Sequence, residues 1–395
     1  MKILLIKWES YNFQDIEEAF IEEGHELVYF PLKVFGNQGE ELLQDQATEE
    51  RLQTVLQREV PDVVFSIDYF PVVSRVCQKE VIRYISYSYD CPHPILYSTT
   101  IKNPCNMVYV FDKETCLEFR DRGISTVHYM PLAANTKRLD AVDMEQTDET
   151  SYAYDVSFVG SLYLEKGNYF DQIEPVLPEY AKGWLKALIA VQLKIQGYDL
   201  VQEMLGPILN DLYQVYPVDA MRDSLEAGGY FYEQFVVKRR ITAIERFDIL
   251  EAISERHQVD LFTHLRGLSM ANLHEHGRVD YLYEMPRVFK QSRINLNITL
   301  RSIKSGIPLR GFDIMGAGGF LLSNYQADFL KLFTPGEDFV YYESKDDLLR
   351  KIDYYLEHEE ERQMIAKNGH DKIAARHTYR HRIREMLNHE DRRVP

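Results

Sequence analysis

Cysteine is scarce. The four in 395 residues, Cys77, Cys91, Cys105 and Cys116, show no C-x-x-C spacing and no histidine at zinc-finger distance, so neither a disulfide framework nor a structural zinc site is expected, only reduced, buried thiols. Tryptophan is scarcer still, at two. No cluster of lysine and arginine is dense enough to neutralise a phosphate backbone, and 45 basic residues stand against 62 acidic ones for a net charge of −17. Nucleic acid is therefore excluded as the main partner, and an anionic membrane surface is disfavoured for the same reason. Long apolar runs are missing too. Between Lys2 and Lys7 lie only four apolar residues, too few for the core of a signal peptide, and no stretch approaches the ~18 apolar residues of a membrane span. A soluble, cytoplasmic protein without stable membrane insertion is the expectation. No internal repeat at a solenoid period and no low-complexity segment is present.

What is there is a globular composition. Apolar residues make up 45% and charged ones 27%, enough for packed cores, and 395 residues suggest two domains of ~100–200 residues each. The 27 tyrosines and 20 phenylalanines suit half-buried walls, where one end of a ring meets water.

Along the chain, short apolar runs at 2–6, 26–30, 62–67, 82–87, 107–111 and 126–129 alternate with helical spacing at 15–23, 49–57, 72–80 and 113–122. Such alternation implies a parallel sheet covered on both faces, so 1–135 reads as one doubly wound domain. Residues 136–153 are polar and acidic without apolar period, and are expected to be a linker. A strand at 155–159 then opens a second α/β domain, 154–377, interrupted by a helical insertion at about 169–232. Beyond it, helices are expected at 241–257, 283–291 and 312–317, and strands at 259–262, 293–298 and 319–323. The tail from 346 to 387 reads as helix broken near Gly369, with 378–395 packing back on the first domain.

In open parallel sheets ligands sit beyond the carboxyl ends of the strands. The sharpest such place is 305–323, S-G-I-P-L-R-G-F-D-I-M-G-A-G-G-F-L-L-S. Pro308 before a short helix, with Gly306 and Gly311 relaxing the backbone, leaves free N–H groups suited to a diphosphate. Arg310 adds a charge-assisted contact, and Asp313, placed in the helix's first turn, can accept from a ribose diol. The same residues also suit a plain glycine-punctuated turn.

The stretches S-R-I-N-L-N-I-T (292–299) and P-L-R-G-F-D-I-M-G-A-G-G-F-L-L (308–322) resemble the C-terminal signature of the CgeB-like glycosyltransferases. S-Y-S-Y-D-C-P (86–92), Y-M-P-L-A-A-N (129–135) and Y-D-V-S-F-V-G-S (154–161) also resemble that family. The resemblance implies a GT-B fold: two Rossmann-like domains facing a cleft, the second holding a nucleoside-diphosphate sugar. In the wider retaining GT-B group two glutamates stand eight positions apart; here Asp313 takes the second position and Ser305 the first. The glutamate that contacts the donor sugar is thus absent.

Weaker candidates complete the set. Gly160 and Ser161 end the second domain's first strand, and Lys166 resembles the family's phosphate-contacting lysine. Lys238, Arg239 and Arg240 face either the nucleotide or solvent. Asp90, in a loop stiffened by Pro92 and Pro94, is the candidate for acceptor orientation or proton removal, or else an Asx-turn cap. Glu9 and Ser10 follow the first strand, and His274 and His276 lack a third metal ligand.

Together these imply a retaining, metal-independent hexosyltransferase needing no cofactor, with a nucleotide sugar, UDP-linked in the first instance, as donor and a glycan, protein or small-molecule hydroxyl as acceptor. The insertion either shapes the acceptor site or forms a contact in a homo-oligomer. Alternatives are a catalytically silent nucleotide-sugar-binding protein and a GT-B-fold epimerase or phosphorylase.

Overall fold

The computed structural model describes residues 1–33, 45–142, 152–218, 223–226 and 228–389. The chain divides into two compact units, Met1–Leu132 with Asp219–Tyr230 and Tyr379–Pro395, and Ala133–Val218 with Phe231–Thr378.

The first unit is built on a six-stranded sheet of β1 (Lys2–Lys7), β2 (Glu26–Pro31), β3 (Val63–Ile67), β4 (Tyr84–Ser88), β5 (Asn106–Val110) and β6 (Val127–Tyr129), in the order β2-β1-β3-β4-β5-β6 and parallel throughout. Every residue of β3, β4 and β5 is buried, as central strands covered on both faces require. Helices Phe13–Glu22, Gln46–Glu59, Pro71–Glu80 and Lys113–Asp121 follow the alternation read from the sequence. Their starts are fixed locally: Asp45 accepts from the Ala47 amide, Asp112 accepts from the Thr115 amide, and Pro71 opens its helix at the first position. Helix Tyr379–Asn388 belongs to this unit, where Arg382 donates to the Pro131 carbonyl at 2.7 Å and Arg380 pairs with Glu23. Cys91 is only half-buried, unlike the other three thiols, because it sits in the loop after β4.

The second unit carries β7 (Tyr154–Val159), β8 (Val259–Phe262), β9 (Leu273–Glu275), β10 (Ser292–Asn297), β11 (Leu321–Asn324) and β12 (Val340–Tyr342), in the order β12-β11-β10-β7-β8-β9, again all parallel. The chain starts in the middle at β7 and winds outward both ways, so the order reverses between β7 and β10, leaving a crevice there. Strands β9 and β12 were not expected from the sequence; each is three residues long at a sheet edge, too short to show a period.

The helices between β7 and β8 pack round their own core, which includes Leu185, Leu188, Val201, Leu212, Tyr232 and Val236. Part of that stretch goes elsewhere: in the first unit the Leu225 amide donates to the Tyr97 carbonyl at 2.6 Å, and Asp223 accepts from the Ser98 hydroxyl. Of the expected linker, Thr136–Asp140 is a helix with Leu139 buried, and 143–151 lie outside the described residues. The tail breaks at His358 and His377 and not near Gly369, which lies inside helix Glu359–Arg376. A Cβ at Gly369 would stand 2.4 Å from the Asp338 carbonyl oxygen, so glycine is there for close packing.

Candidate functional site

At the β7–β10 crevice the loop after β7 and the end of β10 are tied together by one buried side chain. Arg246, on helix Arg239–Ser254, donates through Nη1 to the Ser161 carbonyl, and through Nε and Nη2 to the Ile298 carbonyl at 3.1 and 2.6 Å. Its guanidinium lies 5.3 Å over the Phe158 ring and 5.2 Å over that of Tyr163. Burial pulls its pKa down, and nearby Tyr163 and Glu245 oppose that shift.

A second guanidinium lies beside it. Arg310 is the second residue of helix Leu309–Gly316, capped by Pro308, and its Nη1 comes within 2.8 Å of where a Cβ on Gly160 would stand. Gly160 has φ +152°, and its lack of a side chain lets the charge lie against the backbone. Arg310 Nε is buried without a hydrogen-bond partner among the described residues. Its pKa is lowered to about 10, first by burial and then by the like charge of Arg246, with Asp313 opposing. Arg310 therefore stays a cation at neutral pH in a place that disfavours cations, and a bound anion offsets both the burial and the repulsion. The geometry thus brings Gly160, Ser161 and Arg310 together, and adds Arg246.

The remaining residues of that loop are placed differently. Helix Leu309–Gly316 starts three residues earlier than the spacing suggested, so Asp313 lies beyond the first turn. It is 2% exposed and accepts from the Tyr281 hydroxyl at 3.2 Å. Ser305 is equally buried; its hydroxyl donates to Asp328 at 3.3 Å and its carbonyl accepts from the Asp328 amide at 3.0 Å. Gly306 is buried, and Gly311 is packed against Ile307 and Phe329, each 3.0 Å from a Cβ placed there. Neither glycine has a positive φ, and at Gly311 the missing side chain permits close packing.

Lys166 and Arg240 meet across a cavity of about 380 Å³, which Arg239 also lines. Arg240 lies 4.9 Å over the Phe170 ring. Lys238 faces neither nucleotide nor solvent. It is 1% exposed, bonded to Glu233 at 2.6 Å and to Asp199. Burial disfavours its charge, but these two carboxylates outweigh that and raise its pKa.

In the first unit the chain order reverses between β1 and β3, where the Trp8 indole donates to the Ile67 carbonyl at 2.8 Å. Asp68 follows directly, at φ +59°, and its Oδ1 accepts from the Tyr89 and Asp90 amides at 2.8 and 3.1 Å. Asp90 is exposed in the loop after β4, and His93 Nδ1 is 4.0 Å from Asp68 Oδ1. Asp68, Asp90 and His93 bring ligand-type atoms within 4.8 Å of one another, the one such three-residue group among the described residues. Burial, then the charge of Asp90, raises the Asp68 pKa from 3.8 to about 6. Sequence reasoning found Asp90 and missed its two neighbours. His274 and His276 instead both address Asp260, at 3.6 and 2.7 Å, and His276 stacks on Phe262.

The Asp68 shift has a testable sign. The folded state holds this proton more tightly than the unfolded chain, so acidification from about pH 6 towards pH 4 adds stability, and the charged form costs stability above that window. Asp68→Asn keeps an acceptor and tolerates the left-handed backbone. Relative to the parent it is expected to melt higher above pH ~7, the gap closing as pH falls through the window; a pH series of thermal melts reads this.

Residues 243–388, which include Arg246, Arg310 and Asp313, match a family model described as glycosyl transferase-like. No curated protein is close enough in sequence to match. Among solved structures, the chain is similar to a sucrose-phosphate synthase from Thermosynechococcus elongatus (TM-score 0.54, 11% identity, 98% of each chain covered). It is also similar to a glycosyltransferase from Rickettsia africae (0.53, 8% identity, 98% of this chain and 99% of that one). A third is Anabaena HepE in complex with UDP (0.50, 10% identity, 98% and 99%). With its two parallel Rossmann-like sheets, the chain has the GT-B glycosyltransferase fold and carries a glycosyl transferase-like segment across residues 243–388.

Proposed function

We propose that this protein is a glycosyltransferase of the CgeB-like kind, moving a hexose from a nucleoside-diphosphate sugar to a hydroxyl of a glycan, protein or small molecule. One observation carries the reading. At the crevice where the second sheet reverses its order, the half-buried guanidinium of Arg310 lies against Gly160 and feels the like charge of the buried Arg246, and its Nε is buried without a partner among the described residues. A diphosphate supplies the missing negative charge and the missing acceptors.

In this reading Gly160 and Ser161 let the backbone approach the diphosphate, and Arg310, steadied by Arg246, stabilises the charge that builds on the leaving group. These cations do what a metal ion would do, so the reaction is proposed to need no metal and no further cofactor. Lys166 and Arg240 line the adjoining cavity on the sugar side. Asp313 accepts from the ribose once the Tyr281 hydroxyl gives way, and the Ser305–Gly306 backbone closes the pocket from behind. The bond between anomeric carbon and diphosphate oxygen breaks, the acceptor oxygen bonds that carbon, and the acceptor's proton passes to Asp90. Ser305, held on Asp328, offers no carboxylate to the anomeric carbon, so retention is proposed without a covalent glycosyl–enzyme step in this loop. UDP is the first nucleotide to try, because the Anabaena protein of like fold holds it.

Two measurements test the proposal. UDP-sugar titrations by calorimetry are expected to lose binding in Arg310→Ala and Asp313→Ala; full donor binding in both variants would show the site assignment to be wrong. Asp90→Asn is expected to keep UDP affinity while transfer, read as released UDP, falls roughly 10²–10⁴-fold. Unchanged turnover in that variant would remove Asp90 from the chemistry.

A further inference from the structure

Resting on that reading, the cavity beside the paired arginines shows more positive charge than a nucleotide sugar needs. Each phosphate of a diphosphate bridge carries one negative charge, and Arg246 with Arg310 already balance the two. Lys166, Arg239 and Arg240 remain, all lining the same cavity of about 380 Å³. Among the described residues none of these three makes an ion pair. The carboxylate nearest in sequence, Glu165, also on the cavity wall, is taken up by the Ser161 hydroxyl and by His264, both at 3.0 Å. Arg239 Nε is buried with no hydrogen-bond partner among the described residues.

The two arginines are held on aromatic faces and not on acids. Arg239 lies 4.7 Å over the Phe235 ring and 5.7 Å over Tyr163, and Arg240 lies 4.9 Å over Phe170. Such contacts fix a guanidinium plane while leaving its N–H groups to accept a ligand. The mounting is rigid. Tyr232–Lys238 forms a π-helical turn immediately before Arg239, pinned by the buried Lys238 on Asp199 and Glu233. Tyr163 is held at φ +56°, a left-handed backbone that a bulky residue rarely adopts, with its amide donating to the Ser161 hydroxyl at 3.1 Å. The same ring takes Arg246 at 5.2 Å and Arg239 at 5.7 Å, which puts the surplus cations next to the diphosphate pair.

We infer that the sugar bound here carries an anionic group of its own, a carboxylate or a phosphate, seated on Arg239 and Arg240. Even with Glu165 on the wall offsetting one charge, a neutral hexose would leave two cations unbalanced inside a half-enclosed cavity, whereas an acidic one meets a guanidinium pair suited to bidentate contact.

The test uses the whole protein and probes that need no nucleotide. Ligand-observed NMR saturation transfer is recorded with glucose, glucuronate and glucose 6-phosphate, and separately with UDP. An acidic sugar is expected to bind roughly ten-fold more tightly than glucose, the size of one charge-assisted hydrogen bond, and the preference is expected to vanish in Arg239→Gln and return in Arg239→Lys. Glucuronate against glucose 6-phosphate distinguishes carboxylate from phosphate. If neither acidic sugar outbinds glucose, the inference is overturned, whatever UDP does. If an acidic sugar binds and UDP does not, the cavity assignment stands and the nucleotide reading fails. Far-ultraviolet circular dichroism of Arg239→Gln shows whether a lost signal reflects binding or unfolding.

Discussion

Replacing Arg310 with alanine is expected to lower sugar transfer by roughly 10²–10³-fold, the loss seen when one preorganised charge-stabilising group is removed from a leaving group's site. The side chain keeps a buried nitrogen without a partner among the described residues, and it sits where only a glycine could be opposite it. The variant should also be at least as stable as the parent, because the change removes a charge that burial and Arg246 both disfavour. That combination, activity lost and stability kept, separates a functional arginine from a structural one. Arg246→Ala should behave differently, since its loss frees the carbonyls of Ser161 and Ile298 and unties the loop from β10. Initial rates of nucleoside-diphosphate release and a thermal melt on each variant read the contrast; a destabilised Arg310→Ala with unimpaired turnover would reverse the roles.

The second large effect is expected at Gly369. Alanine is the better helix former by about 1 kcal/mol, and this residue lies inside helix Glu359–Arg376, so propensity alone favours the substitution. Packing decides otherwise. The new Cβ would stand 2.4 Å from the Asp338 carbonyl oxygen, a backbone atom that cannot swing aside, with Met315 at 3.4 Å. Overpacking of this kind costs about 1–3 kcal/mol, and its upper end applies where backbone meets backbone. For a unit of this size the melting temperature should fall by roughly 4–8 °C. An unchanged or higher melting temperature would mean that the two helices and the loop before β12 move apart readily.

The strands that position the site were legible because central parallel strands are mostly apolar, as 63–67 and 84–88 are, while 292–297, S-R-I-N-L-N, shows it only in the alternating Ile294 and Leu296. The 305–323 loop was legible because proline and glycine punctuate it, although the punctuation was misread. Gly311 serves packing, neither it nor Gly306 has a positive φ, and Asp313 lies a turn deeper, since Pro308 starts the helix at Leu309. Arg246 was missed because it stands in a long charged helix among other arginines. A signal was there: Thr242, Glu245, Arg246, Ile249, Leu250 and Ile253 form one buried stripe, and a charged pair within an apolar stripe marks either an ion pair or a ligand site. Glu245 resolves to the ion pair, with Arg301 at 2.7 Å, and Arg246 to the site. Lys238 shows the converse. It belongs to the densest basic run before a helix, yet Glu233, five residues earlier, and Asp199, 39 residues earlier, hold it together, and no local pattern reveals the second partner. Asp68 had one faint mark, an acid at the carboxyl end of a strand; His93 joins it only because the loop after β4 folds back.

The most direct measurement is a calorimetric titration of the intact protein with UDP, repeated with GDP, dTDP, CDP and ADP. The account predicts one site for at least one of these nucleotides, lost in Arg310→Ala and matched by a rise in melting temperature as ligand is added. No heat and no thermal shift with any of the five, in a protein that melts cooperatively, would contradict it, and the paired guanidiniums would then need another anion.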